Sequence, residues 1–168
     1  MSQLQNIYRR AFHGTSKAAL ASIKERGLIP GASPGADAWA SAEQDKHFDP
    51  DRGVFLSPMP TVAAMFSQLA AQVRAGTIGH AMVSGGVVLE VDLSEADPSR
   101  ITEDSQFSRQ DDENSEALIY HGSIPASWIR CYHEVTPTAA QLPEHFTLEY
   151  FNEPDLKLGE PIALGVAA

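Results

Sequence analysis

Apolar and polar positions along the chain alternate with two periods, and the switches between them cut the sequence into short segments. Ile7 to Phe12 ends in aromatic and aliphatic residues and predicts a strand entering a core. Phe12-His13-Gly14-Thr15-Ser16 then reads as a strand end, a tight polar turn and a helix start, with Thr15 or Ser16 supplying the N-cap oxygen. From Lys17 to Arg26, Leu20, Ile23 and several alanines share one helical face, and Gly27 suits the residue just past the helix. Leu28-Ile29-Pro30 leaves as an extended exit. Gly31 to Gly53 is a long polar connection, of a length that reads as a functional flap, with disorder as the competing reading.

The pattern resumes with a short strand, Val54-Phe55-Leu56-Ser57. Pro58 and Pro60 close it and open a helix to Ala75, in which Val62, Met65, Phe66, Leu69 and Val73 recur at helical spacing as core residues. Gly76 to Gly86 is rich in glycine, but a strand rather than a helix follows Gly85-Gly86, so it reads as a plain turn. Val87 to Leu93 alternates like a half-buried strand, and Ile101 starts a short edge segment. Ala117 to Tyr120 is an apolar strand, Gly122 to Pro125 a turn, and Trp128 to Val135 a strand of alternating large residues. Thr147 to Phe151 offers one more. Gly159 to Ala168 lacks a pattern and is expected to fray, leaving one domain over residues 1–158. Many short strands, two helices in the N-terminal half and no internal repeat predict an α+β domain with mainly antiparallel sheets.

Composition narrows the function classes. With 168 residues, 43% of them hydrophobic, the chain suits one compact domain. No apolar run approaches the ~20 residues that span a bilayer. Met1 to Arg10 is polar and has no apolar signal core, so a cytoplasmic protein without a membrane is expected, with export by a route needing no cleaved signal left open. The single cysteine, Cys131, excludes an internal disulfide framework and fits a reducing compartment. A formal net charge of −10 disfavours general nucleic-acid binding, although a small basic pocket could still accept one anionic ligand.

The chemistry-bearing residues are sparse. Six histidines are present, yet none forms a His-Glu-x-x-His helix or a tight His/Cys cluster, so no metal is expected. There is no Gly-x-Ser-x-Gly, and Cys131 lies in an apolar strand where packing is its simplest role; His121 and His133 read as ordinary turn and strand residues. Thr102 to Glu116 carries six carboxylates against one arginine, Arg109, and is mostly a solvated loop. Glu116 differs from the others. It immediately precedes the apolar Ala117-Leu118-Ile119-Tyr120, where loop becomes core, so its orientation should be fixed.

Four segments in order resemble the ADP-ribosyltransferase superfamily, which includes diphtheria-toxin-like enzymes and poly(ADP-ribose) polymerases. They are His13-Gly14-Thr15-Ser16 with its helix and Gly27-Leu28-Ile29-Pro30, then Val54 to Pro58 leading into a helix, then Val87 to Leu93, and last Glu116 to Ile129. The resemblance spans about Tyr8 to Tyr132. It implies a split antiparallel β core with flanking helices and NAD, as substrate, in the cleft. In the histidine-aromatic-glutamate branch it places His13 on the adenosine ribose, with Gly14 offering backbone contacts to the nicotinamide amide and Thr15 beside them. Phe55 stands where an aromatic, usually tyrosine, stacks on nicotinamide, and Ser57 falls near a strand serine of the other branch. Glu116 matches the catalytic glutamate. A carboxylate fixed on a ribose hydroxyl stabilises the oxocarbenium-like charge that develops as nicotinamide leaves, as in glycoside hydrolysis.

The resemblance therefore implies an NAD-dependent mono-ADP-ribosyltransferase acting on a protein acceptor, contacted by the loop 102–115, in the manner of a bacterial effector or toxin. Asn114 stands two residues before Glu116, where arginine-modifying members carry Glu or Gln. Three alternatives share the scaffold: an NAD glycohydrolase, an RNA 2′-phosphotransferase-like enzyme, and a non-catalytic module binding a nucleotide or partner. The phosphotransferases carry a second histidine where this chain has Phe55, and a basic lobe absent here.

Overall fold

Two glycines set how the largest helix lies on the main sheet. The computed structural model describes residues 9–30, 53–76, 83–103, 117–138 and 156–165, and among them eight strands form two antiparallel sheets with two α-helices. In the larger sheet β1 (Arg10–Ser16), β3 (Gly86–Asp92) and β6 (Ile129–Pro137) lie side by side, and β7 (Leu156–Leu158) and β8 (Ile162–Ala163) both pair with β6. The smaller sheet has the order β2 (Val54–Leu56), β5 (Leu118–Tyr120), β4 (Ile101–Glu103). This is an α+β fold with a split β core: the short-strand pattern predicts the class, and the family resemblance implies the split core.

β1 and β3 pair without interruption from Arg10↔Asp92 to Ser16↔Gly86. Side chains alternate along a strand, so Ala11, His13, Thr15, Val87, Leu89 and Val91 share one face. Phe12, Gly14, Val88 and Glu90 share the other. On the first face Ala11, Val87, Leu89 and Val91 join the main core with Val54, Leu56, Leu118 and Tyr120 of the small sheet and Leu20 and Ile23 of α1 (Leu20–Arg26). On the second, Phe12, Val88 and Val135 pack with Ala63 and Ala64 of α2 (Pro60–Ala75). With both faces covered, β3 is buried from Gly86 to Val91. The expected half-buried strand is therefore a fully buried one, because its second face meets a helix distant in sequence.

α2 approaches unusually closely. A Cβ at Gly14 would lie 1.8 Å from the Ala63 carbonyl oxygen and 2.5 Å from the Ser67 nitrogen, and one at Gly86 would lie 2.7 Å from Ser67 Oγ. The helix rests on bare backbone, and its inner face is correspondingly small: Ala63, Ala64, Ser67 and Ala71 are buried there. Buried Gln68 bonds the start of β3's approach through both its amide atoms, donating from Nε2 to the Val83 carbonyl at 2.6 Å and accepting from the Val83 N–H at 3.1 Å. The predicted apolar stripe sits beside this face. Val62 and Met65 are buried, with Phe66 and Leu69 only partly so. Pro60 occupies the first turn as expected, and Gly76 ends the helix in the left-handed region.

Three other expectations change. His13-Gly14-Thr15 is not a turn but the middle of β1, because pairing with Leu89, Val88 and Val87 continues through it. A 3₁₀ turn at Lys17–Ala19 precedes α1, and Ser16 makes no side-chain cap. Gly27 does end α1, at φ 74°, with its N–H on the Ile23 carbonyl. Residues 159–165 are not a loose tail. Ile162 and Ala163 pair with Tyr132 and Cys131, and Leu164 is 1% exposed in the main core. β7 and β8 together form one edge strand whose register on β6 slips by a residue between Gly159 and Ile162.

A β-bulge also marks β6. Glu90 pairs with Cys131 but Val91 pairs with Ile129, so Arg130 is the extra residue, and the bulge returns Ile129 to the core face. No helix among the described residues is long and apolar enough to cross a membrane. Residues 31–52 of the proposed flap, the Thr147–Phe151 segment and residues 104–116 of the acidic stretch lie outside the described residues, whereas Thr102 and Glu103 belong to β4.

Candidate functional site

The two sheets meet where β1 touches the end of β2. Phe12 donates its N–H to the Ser57 carbonyl at 2.7 Å, and Ser57 returns an N–H to the Phe12 carbonyl at 2.8 Å. One residue along, the His13 side chain crosses the seam, with Nδ1 2.7 Å from the Phe55 carbonyl oxygen. A carbonyl only accepts, so Nδ1 carries the proton and Nε2 presents a lone pair. Burial pushes the His13 pKa below its ordinary value, with the Phe55 carbonyl opposing in part. The imidazole is thus held neutral, in one tautomer and one orientation.

Gly14 extends this seam. Because the Phe12 amide and carbonyl face β2, the alternation of a strand turns those of Gly14 toward the same outer edge of β1, away from β3. Among the described residues no strand pairs with that edge beyond the Phe12↔Ser57 bridge. Glycine is required there for a different reason, the contact with α2. The structure thus brings His13, Gly14, Phe55 and Ser57 to one corner. Thr15 follows on the His13 face and is buried. Ser57 is buried too, and its Oγ accepts the Met59 N–H at 3.0 Å, in a turn that leads into α2. Phe55 contributes its carbonyl to His13, and the residue is half-buried. Glu116 lies outside the described residues; its chain neighbour Ala117 is buried, and Leu118 pairs with Leu56 across the small sheet.

A second polar cluster lies on the opposite face of the main sheet, past the area covered by α2. Glu90 is 8% exposed, and its carboxylate takes Arg10 at 2.7 Å on both oxygens, from Nε to Oε1 and from Nη2 to Oε2. Cys131 Sγ lies 3.5 Å from Glu90 Oε2 and 3.8 Å from His133 Nε2, while His133 Nε2 is 3.9 Å from Glu90 Oε2. His133 Nδ1 donates to the Gly159 carbonyl at 2.9 Å, at the register slip between β7 and β8. Burial and the Glu90 charge push the Cys131 thiol up. Beyond them Arg130 pairs with Asp92, holding its carboxyl down at about 2. Reading Cys131 and His133 as ordinary strand residues missed this cluster. Their i, i+2 spacing in a strand, which puts both on one face, was the available signal; the Glu90 partner depends on sheet register and was not.

No family model and no curated protein matches this sequence. Among solved structures the chain is similar to EcPltA, with 10% sequence identity and a TM-score of 0.51 over 95% of this chain and 87% of that one. A likeness at that identity speaks to the fold alone. It agrees with the split β core described above, and His13 stands at the seam of that core.

Proposed function

We propose that the chain is an NAD-dependent mono-ADP-ribosyltransferase that transfers ADP-ribose to a protein acceptor. The observation that supports this reading best is the state of His13. It is a neutral imidazole, locked across the seam by the Phe55 carbonyl, with an acceptor lone pair at Nε2. Such a group accepts a hydrogen bond from a ribose hydroxyl without placing a positive charge beside the cationic nicotinamide ring. The outward amide and carbonyl of Gly14 match the donor and acceptor of the nicotinamide carboxamide, on the same edge. These are the two residues to which the sequence resemblance assigns such contacts.

The chemistry then needs a carboxylate. As the bond between ribose and nicotinamide breaks, its electron pair leaves with the ring nitrogen, and positive charge grows on the ribose. Glu116, at the end of an acidic stretch of sequence and next to buried Ala117, is proposed to hold a ribose hydroxyl and stabilise that charge until the acceptor nucleophile adds to the anomeric carbon. Phe55 is proposed to stack on nicotinamide, and loop 102–115 to contact the acceptor.

Incubation of the purified chain with labelled NAD and a cell lysate tests the reading. Nicotinamide should be released and label should enter protein, and Glu116→Gln should slow both by roughly 10²–10³-fold. Release without label in protein identifies a glycohydrolase instead. Absence of release, or equal rates in the variant, rules the assignment out.

A further inference from the structure

We propose that Glu90, Cys131 and His133 form a binding site for a thiophilic divalent cation of the zinc class. Each residue brings one ligand atom of the right kind: a carboxylate oxygen, a thiolate sulfur and an imidazole nitrogen. The Sγ–Oε2, Sγ–Nε2 and Nε2–Oε2 separations are 3.5, 3.8 and 3.9 Å. Zinc bonds of about 2.0–2.3 Å at tetrahedral angles give edges of about 3.3–3.6 Å, so the three atoms outline one face of a tetrahedron, with about 0.6 Å to close on the longest edge.

The surroundings support ligation independently of those distances. The His133 imidazole donates Nδ1–H to the Gly159 carbonyl, which leaves the Nε2 lone pair facing the cluster. This is the outer-shell arrangement that fixes the tautomer of metal-ligating histidines. The register slip of the edge strand is what frees that carbonyl from the sheet ladder. Arg10 fixes the Glu90 carboxylate in the same way, and the Oε2 lone pair that accepts the Cys131 thiol becomes available to an ion once that thiol loses its proton. Glu90 and Cys131 are directly paired residues of β3 and β6, which sets their side chains side by side on one face.

Charge favours the same occupant. In the ion-free site the Cys131 thiol donates to Glu90 Oε2 at 3.5 Å, and a divalent ion would take the place of that proton and hold thiolate and carboxylate together. In binding, the Cys131 thiol releases its proton to solvent and gives a sulfur lone pair to the ion; His133 and Glu90 each give a lone pair, and nothing is oxidised. Three protein ligands leave the fourth position to water or another donor. The sulfur selects against magnesium and calcium, which prefer oxygen. The site faces away from His13 and is independent of the NAD reading.

Cobalt(II) titration of the full chain, stripped of metal with a chelator, tests the proposal without NAD. Cys131 is the only cysteine, so a sulfur-to-cobalt charge-transfer band reports this position alone. The expected result is that band together with the visible bands of a four-coordinate ion, saturating at one equivalent and bleached by zinc but not by magnesium. Cys131→Ser should abolish the charge-transfer band, and His133→Ala and Glu90→Gln should each weaken binding tenfold or more. His121→Ala, away from the cluster, should leave it unchanged. Should a variant fold poorly, maleimide labelling of wild-type Cys131 gives a second readout, with zinc slowing it at least tenfold and chelator restoring it. No charge-transfer band, or labelling indifferent to zinc, overturns the site.

Discussion

Holding His13 neutral has a consequence for stability. Its folded pKa lies below the ordinary 6.5, so between those values the unfolded chain binds a proton that the folded chain does not. This contribution is fully present above pH 6.5 and is lost as pH falls toward the depressed value. Urea melts of wild type and His13→Gln at about pH 7.5 and about pH 5.5 should therefore show the wild-type advantage shrinking at the lower pH; an advantage that stays constant would mean the imidazole is not held neutral. Gly14 makes a steric prediction. Its missing Cβ would strike the Ala63 carbonyl, which is backbone and cannot rotate away, so Gly14→Ala should cost about 3 kcal/mol by denaturant unfolding. From the sequence both residues are candidates for binding the cofactor, but their place in a strand is not legible there. His13-Gly14-Thr15 has the composition of a polar turn, and only pairing with Val87, Val88 and Leu89, far along the chain, makes it a strand.

At the scale of elements, what local pattern dictates was readable and what tertiary contact dictates was not. Pro60 and Gly76 bracket α2 by their own backbone preferences, and the apolar Ala117–Tyr120 run yields β5 directly. The inner face of α2 hides from hydrophobic periodicity because close docking on Gly14 and Gly86 selects alanine and serine over leucine. β8 is two residues long and has no period to detect, yet it carries buried Leu164 into the main core. Leu164→Ala should lower stability by about 3 kcal/mol, within the range for truncating a buried leucine. A cost below about 0.5 kcal/mol in the same melts would return the segment to the frayed tail that its sequence implies. The bulge at Arg130 can be tested by removing it. Deleting Arg130 leaves Ile129 and Cys131 as neighbours on opposite faces of β6, the faces they already hold, so in the same melts the deletion should cost little more than Arg130→Ala; a far larger loss would mean that the bulge itself is required.

At the scale of the described fold, the two sheets of the split core meet at a seam, where His13, Gly14, Phe55 and Ser57 lie together. The Phe12–Ser57 bridge ties the sheets together there, and His13 and the Gly14 edge lie beside it. The likeness to EcPltA concerns this architecture; the activity is argued from His13, Gly14 and Glu116. The most direct measurement is NAD affinity by calorimetry at neutral pH, comparing the wild-type chain with His13→Ala after confirming that both are folded. One lost hydrogen bond of about 1 kcal/mol predicts binding about fivefold weaker in the variant. Equal affinities, or no binding by the wild-type chain, would contradict a role for this seam in holding NAD.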